Sequence, residues 1–173
     1  LPDVVLLDLS LGADSGLDGQ GHVYATGEIY NAQNNKDFRT TKHSSADGSV
    51  IWSATYDGPT HESESPVALA VDATGVVVTG ASPSNGRFDY RTIKYGAADG
   101  AVVWSAGHDG PGHGDDYPAG VAVDAAGNVY VTGSSNPLNG VDPDIRTIAY
   151  DAAGQLRWAT SFGTPVGEWE WPL

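Results

Sequence analysis

The chain has no cysteine and no methionine, few basic residues and no long apolar run. Without cysteine there is no disulfide framework, no thiolate metal centre and no thiol nucleophile, and the redox compartment stays open. Lys and Arg together number 8 against 22 Asp and Glu, for a formal charge of −14. Nucleic acids and anionic lipid surfaces are held through Lys and Arg, so neither is expected as a partner. No stretch reaches the length of a membrane-spanning helix, and no membrane insertion is expected. The apolar start, Leu1 to Leu11, includes Asp3 and Asp8 and lacks a basic leader, unlike a signal peptide. The missing initiator methionine leads us to expect a processed product or a piece of a longer polypeptide. Catalytic signatures are missing too. There is no nucleophile elbow, no pair of carboxylates singled out for glycoside hydrolysis, and no helical period of useful length. The expectation is a non-enzymatic protein with no catalytic residue and no organic cofactor.

What the chain does have is glycine, 23 of them, placed at turns between short strand-like runs. Those runs repeat. Asp37-Phe38-Arg39-Thr40 returns as Asp89-Tyr90-Arg91-Thr92 and as Asp144-Ile145-Arg146-Thr147. Trp52, Trp104 and Trp158 correspond, as do Thr26-Gly27, Thr79-Gly80 and Thr132-Gly133. Self-similarity about every 52–55 residues marks a repeat architecture. Each repeat offers four strands. The first is clearest at Val67–Val71 and Ala119–Val123, and a tight turn such as Asp72–Gly75 or Asp124–Gly127 leads to the second. A polar loop (Asn31–Lys36, Ser82–Arg87, Ser134–Pro143) precedes the third strand, which opens on the Asp-x-Arg-Thr landmark. The fourth strand alternates cleanly, with Val50, Trp52, Ala54 and Tyr56 on one face. Val102, Trp104, Ala106 and His108 repeat that face, and so do Leu156, Trp158, Thr160 and Phe162.

Four-stranded antiparallel units repeated radially are the blades of a β-propeller. The fold class expected is all-β, a propeller segment of about three four-stranded antiparallel blades. They are placed at 13–66, 67–118 and 119–172, with 1–12 a leftover strand of a preceding repeat. The first strand of the first blade, Ala13–Asp18, is poor in apolar residues. Trp52, Trp104 and Trp158 are expected in equivalent, largely buried places between blades. A closed ring takes about four to eight blades. The partners expected are therefore further blades of the same polypeptide or other copies of the chain, in a larger or oligomerised propeller.

Several runs of the middle repeat resemble bacterial β-propeller repeats of the SBBP type. They are Asp89-Tyr90-Arg91-Thr92-Ile93-Lys94-Tyr95, the Trp104 that follows Asp99-Gly100, the loop from Asp109 to Asp116, and Val123 to Gly133. The resemblance extends over about residues 13–172 and weakens in the first copy, where Ser15 and Gly16 replace apolar residues and His43 replaces Tyr95. It implies a binding or display scaffold of a bacterial secreted or cell-surface protein, hence an extracellular location, with a protein or glycan as ligand. A fainter similarity joins Asp47–Trp52, Asp99–Trp104 and Ala153–Trp158 to the tryptophan-docking repeats of quinoprotein-like propellers. That family would imply a dehydrogenase using pyrroloquinoline quinone with Ca²⁺, but its vicinal cysteines are absent here.

Chain direction alternates within a blade, so the loops after the second and fourth strands gather on one rim, where a scaffold holds its binding residues. The candidate ligand-binding residues there are Asp57, His61, Glu62 and Glu64, then Asp109, His113, Asp115 and Asp116. The third copy offers Gly167, Glu168 and Glu170. Clustered carboxylates among glycine turns suit the oxygen chemistry of Ca²⁺, with Asp109, Asp115 and Asp116 as the expected ligands. Their spacing matches neither an EF-hand nor the nonapeptide calcium repeat, and the same residues would serve as a solvated acidic turn. Both readings stay open. His108, aligned with Tyr56 and Phe162, reads as a packed ring, and His22 takes the turn place of Asn128. Arg39, Arg91 and Arg146 lie two residues beyond Asp37, Asp89 and Asp144, on the same strand face, where in-strand ion pairs are expected. Asn31, Asn34, Asn35, Asn85, Asn136 and Asn139 make a lectin-like, carbohydrate-binding propeller the alternative, although asparagine equally forms turns.

Overall fold

The structure, a computed structural model, describes residues 16–137 and 143–163. Eleven strands form three antiparallel sheets, and no helix occurs among the described residues. The first sheet contains β1 (Val23–Tyr30), β2 (Lys36–His43) and β3 (Val50–Tyr56). The second contains β4 (Ser65–Asp72), β5 (Gly75–Ser84), β6 (Arg87–Gly96) and β7 (Val102–His108). The third contains β8 (His113–Val123), β9 (Val129–Pro137), β10 (Asp144–Tyr150) and β11 (Leu156–Phe162). Each sheet runs in sequence order, up and down, as a propeller blade does. The chain is an all-β propeller segment.

Of the expected strand Ala13–Asp18, residues 13–15 lie outside the described residues and Leu17 bridges to Val23, so the first blade shows three strands among the described residues. Residues 1–12, Asn139, Gly167, Glu168 and Glu170 lie outside the described residues. The blade boundaries fall earlier than 67 and 119, because β4 starts at Ser65 and β8 at His113. Pro66 and Pro118 stand inside these strands, each at a bulge where the pairing skips to Ala68 or to Gly120. A residue without an N–H is tolerated where the ladder is already interrupted. The polar loop expected over 82–87 shrinks to Asn85-Gly86. Both residues are left-handed (φ 51° and 76°), as a two-residue hairpin turn requires.

The sequence landmarks mark cross-strand partners. Thr26 faces Thr40, Thr79 faces Thr92 and Thr132 faces Thr147, with hydroxyls 3.2–3.3 Å apart. Such Thr pairs fix one register on every blade.

Between blades lie two equivalent apolar cores. Tyr24, Phe38 and Trp52 of the first blade meet Val76, Val78, Ile93 and Tyr95 of the second. Val77 and Tyr90 of the second, flanked by Trp104, meet Val129, Val131, Ile148 and Tyr150 of the third. Trp52 caps its core by lying against the β6–β7 turn, where a Cβ on Gly100 would sit 2.6 Å from the indole, and its Nε1 donates to Ala97 O at 3.2 Å. Trp104 lies in the same way against Gly154 of the β10–β11 turn. Both glycines have left-handed φ, 71° and 80°.

The three tryptophans are not equivalent, contrary to expectation. Trp52 is 7% exposed, Trp104 is half-buried and Trp158 is 44% exposed. The reason is positional. Each indole is covered by the blade that follows, and no described residue follows the third blade, so Ile145, Trp158 and Phe162 stay open. The opposite end differs in chemistry. Where later blades turn Val78, Ile93 and Tyr95, or Val131, Ile148 and Tyr150, toward the preceding blade, the first blade has Ala25, Thr41 and His43. His43 bonds Thr41 Oγ1 (2.9 Å) and Gly48 O (3.1 Å) within its own blade.

The recurring arginines also serve the joints. Arg91 lies over the Tyr56 ring, 5.4 Å from its centre, and Arg146 Nε donates to His108 Nε2 at 3.2 Å. Arg39 reaches Thr55 (2.7 Å) and Arg146 reaches Ser161 (2.9 Å) on the neighbouring strands. The side chains thus reach neighbouring strands and the preceding blade, and no salt bridge forms to the in-strand aspartates among the described residues. His108 is the packed ring expected, next to Tyr90, with its pKa lowered by burial and by Arg146.

Candidate functional site

Three positions of each of the first two repeats meet at the loop rim. In the first blade Asp37 enters β2, Asp57 follows β3, and Glu64 precedes β4. A carboxylate oxygen from each lies within 4.8 Å of the other two. Asp89, Asp109 and Asp116 repeat the group one blade later. The turns that build it are tight. His61 and His113 are left-handed (φ 52° and 51°), and their backbone N–H groups donate to Gly58 O and Gly110 O, both at 3.0 Å. Each imidazole then folds back, Nδ1 2.7 Å from Asp57 or Asp109 Oδ2. Both imidazoles are largely exposed. The Asp109 contact raises the His113 pKa.

Glu64 is the buried member, 1% exposed. The Gly58 N–H donates to its Oε1 at 2.9 Å, and its Oε2, also buried, has no hydrogen-bond partner. An orphaned buried oxygen costs about 1–3 kcal/mol. Burial, opposed by the Gly58 N–H and reinforced by Asp37 and Asp57, pushes the Glu64 carboxyl up to about 7. Burial and then Asp57 raise Asp37 as well. In the second copy burial, with Asp109 next, lifts Asp89 to about 6. There Asp116, one methylene shorter than Glu64, places both oxygens on backbone donors, the Gly110 N–H and the Asn136 N–H (3.2 Å).

Of the predicted rim residues the structure brings together Asp57 with Glu64 and Asp109 with Asp116, each pair flanked by its histidine. Glu62 is exposed. Asp115 belongs elsewhere. Its carboxylate accepts from the Phe88 N–H (3.1 Å) and from Arg87 (3.4 Å). The set Asp109, Asp115 and Asp116 is therefore corrected to Asp89, Asp109 and Asp116, because successive residues of a strand point to opposite faces and β8 already contains both Asp115 and Asp116. Asp37 and Asp89, expected in arginine pairs, belong to the group because the topology brings the start of a blade's third strand beside the exit of its fourth. The third copy differs, since Gly163 stands where Asp57 and Asp109 stand.

The asparagines of the rim are engaged in its own turns. Asn31 accepts from the Gln33 and Asn35 N–H groups and donates to Asp37, and Asn136 donates to Asp115 O. On the opposite rim His22 and Asn128 do share one role, each bonding the aspartate that opens its turn, Asp18 or Asp124.

Residues 110–137, from the β7–β8 turn through β9, match the family model of the SBBP β-propeller repeat. The chain carries an SBBP repeat. The match begins at the rim and takes in His113 and Asp116 of the carboxylate group. Among solved structures the chain is similar to BamB from Moraxella catarrhalis, at 11% identity and a TM-score of 0.25, over 79% of this chain and 64% of that one. The chain thus spans just under two thirds of that protein's length. No curated protein sequence matches it.

Proposed function

We propose that this SBBP propeller segment is a non-enzymatic binding scaffold of a bacterial secreted or surface protein, and that its ligand face is the rim carrying Asp57, His61, Asp109 and His113. The supporting observation is the repetition of one exposed Asp–His pair, the imidazole folded back on the carboxylate, on two adjacent blades. Acidic groups set on a strongly acidic chain favour a ligand with basic side chains. The lectin alternative gains little from Asn31 and Asn136, whose amides are engaged within the rim. The scaffold also offers Ile145, Trp158 and Phe162 on the third blade for further blades or another copy. The test is a pair of arrays, basic peptides and glycans, probed in chelator with the labelled chain and with an Asp57→Asn/Asp109→Asn variant. Peptide binding lost in the variant supports the reading. Glycan binding alone, or peptide binding that the variant retains, overturns it.

A further inference from the structure

The first-blade carboxylate group has two features that an acidic surface turn lacks. The first is its shape. Oxygens that share one Ca²⁺ sit about 2.3–2.6 Å from the ion, so two of them stand at most about 5 Å apart. One carboxylate oxygen from each of Asp37, Asp57 and Glu64 lies within 4.8 Å of the other two, which is the spread one such ion spans. The second is independent of the clustering. Glu64 is 1% exposed, and its Oε2 has no donor of any kind. Buried carboxylate oxygens are normally paired or coordinate a metal. Asp57 offers the entrance, since its side chain is 38% exposed.

The surroundings belong to two blades. A Cβ on Gly58 would sit 2.9 Å from Ser82 Oγ, as well as close to Glu64 Oε1, so the glycine leaves room where a hydroxyl of β5 meets the loop. Ser82 is buried, and its hydroxyl lies 3.4 Å from the Tyr56 hydroxyl. It supplies an uncharged oxygen from the second blade beside a cluster carried by the first.

We propose that Asp37, Asp57 and Glu64 bind one hard divalent cation, Ca²⁺ by its oxygen-rich and irregular ligand set, at the joint between the first two blades. The cation supplies the partner that Glu64 Oε2 lacks and cancels the repulsion among three carboxylates. Its role is a staple between blades, and it stands whatever the rim takes as a macromolecular ligand. The repeated group at Asp89, Asp109 and Asp116 is the weaker of the two, because both Asp116 oxygens already accept backbone donors.

The test uses the whole chain, stripped with chelator, then titrated with CaCl₂ alone in a calorimeter and melted with and without 1 mM Ca²⁺. An ion at 100 times its dissociation constant raises the melting temperature of a chain this size by about 5–10 °C. Asp57→Asn, at an exposed position that leaves the fold intact, should weaken binding at least 10-fold and remove most of the rise. Glu64→Gln should do the same, and Asp109→Asn should keep both the heat and the rise. Identical melts in calcium and chelator, with no heat, overturn the proposal and leave Glu64 Oε2 satisfied by a proton. Binding that survives both Asp57→Asn and Glu64→Gln but not Asp109→Asn also overturns it, since the ion would then sit in the second group. The peptide array, run in chelator, is read independently of either result.

Discussion

Replacing the tryptophans one at a time by alanine should produce three different losses from three identical changes. Trp52→Ala removes an indole that is 7% exposed, its edge and tilted contacts with Tyr24 (5.8 Å) and Tyr95 (6.3 Å), and its bond to Ala97 O. Large core aromatics cost about 3–5 kcal/mol on truncation. The lost hydrogen bond adds little, because Lys42 Nζ also donates to Ala97 O at 3.0 Å and keeps it satisfied. We expect about 4 kcal/mol. Trp104 is half-buried against Tyr150 (5.8 Å), and its buried Nε1 has no acceptor, so truncation also removes a penalty. Its loss should be about 2 kcal/mol, from the lower burial and the relieved donor. Trp158, 44% exposed with Tyr130 as its ring neighbour, should lose about 1 kcal/mol. Urea unfolding reads the series directly. With a slope of about 2 kcal/mol per molar, the midpoints should fall by about 2, 1 and 0.5 M at constant slope. A Trp158→Ala shift as large as that of Trp52→Ala would mean that the third blade's outer face is covered. A Trp52→Ala loss below about 2 kcal/mol would refute the anchoring role altogether.

Two further outcomes follow from the same joints. Gly100→Ala and Gly154→Ala should each cost about 2–4 kcal/mol, combining a left-handed backbone with a Cβ driven into an indole. Gly86→Ala, with φ 76° but open space around it, should cost only about 1 kcal/mol by the same urea assay. Acid sensitivity should track the Asp72–Lys94 pair (2.6 Å), since burial opposes ionisation of Asp72 but Lys94 and Thr74 outweigh it and hold its pKa below the ordinary 3.8. A depressed carboxyl contributes stability above its unfolded value that is lost as pH falls through the folded one. Asp72→Asn should therefore lower the urea midpoint at pH 7 and leave it nearly unchanged at pH 2, where a difference equal to that at pH 7 would count against the pair.

The blades were legible in the sequence because their landmarks are partners. Thr26 and Thr40 recur together since they face each other across β1 and β2, and the copies of this pair fix the period. The glycines before each tryptophan were legible as turns, but their second duty was not, because Gly100 receives Trp52 from the preceding blade and a local reading sees only Trp104 nearby. The unequal exposure of the tryptophans escaped for the same reason. Burial between repeats depends on a neighbour that the repeat itself does not encode. At the rim the loop carboxylates Asp57, Glu64, Asp109 and Asp116 were found from their density. Asp115 adjoins Asp116 in sequence, but strand alternation sends it to Phe88 and Arg87 instead. Asp37 and Asp89 stand two residues from Arg39 and Arg91, but those arginines reach Thr55 and Tyr56, and the Arg91 contact appears only once blades stand side by side.

The unlike faces at the two ends of the segment give the blades different freedom to change in number. Removing the third blade would bare the side that presents Tyr90 and Trp104, and the segment would again end on an open tryptophan, one blade shorter. Removing the first would replace Ala25, Thr41 and His43 with Val78, Ile93 and Tyr95, turning a wettable end into a second adhesive one. The second blade presents one face that fits the blade before it and another that fits the blade after it. Its two faces are thus complementary in kind, and a further copy set beside it would meet the same pattern of apolar contacts.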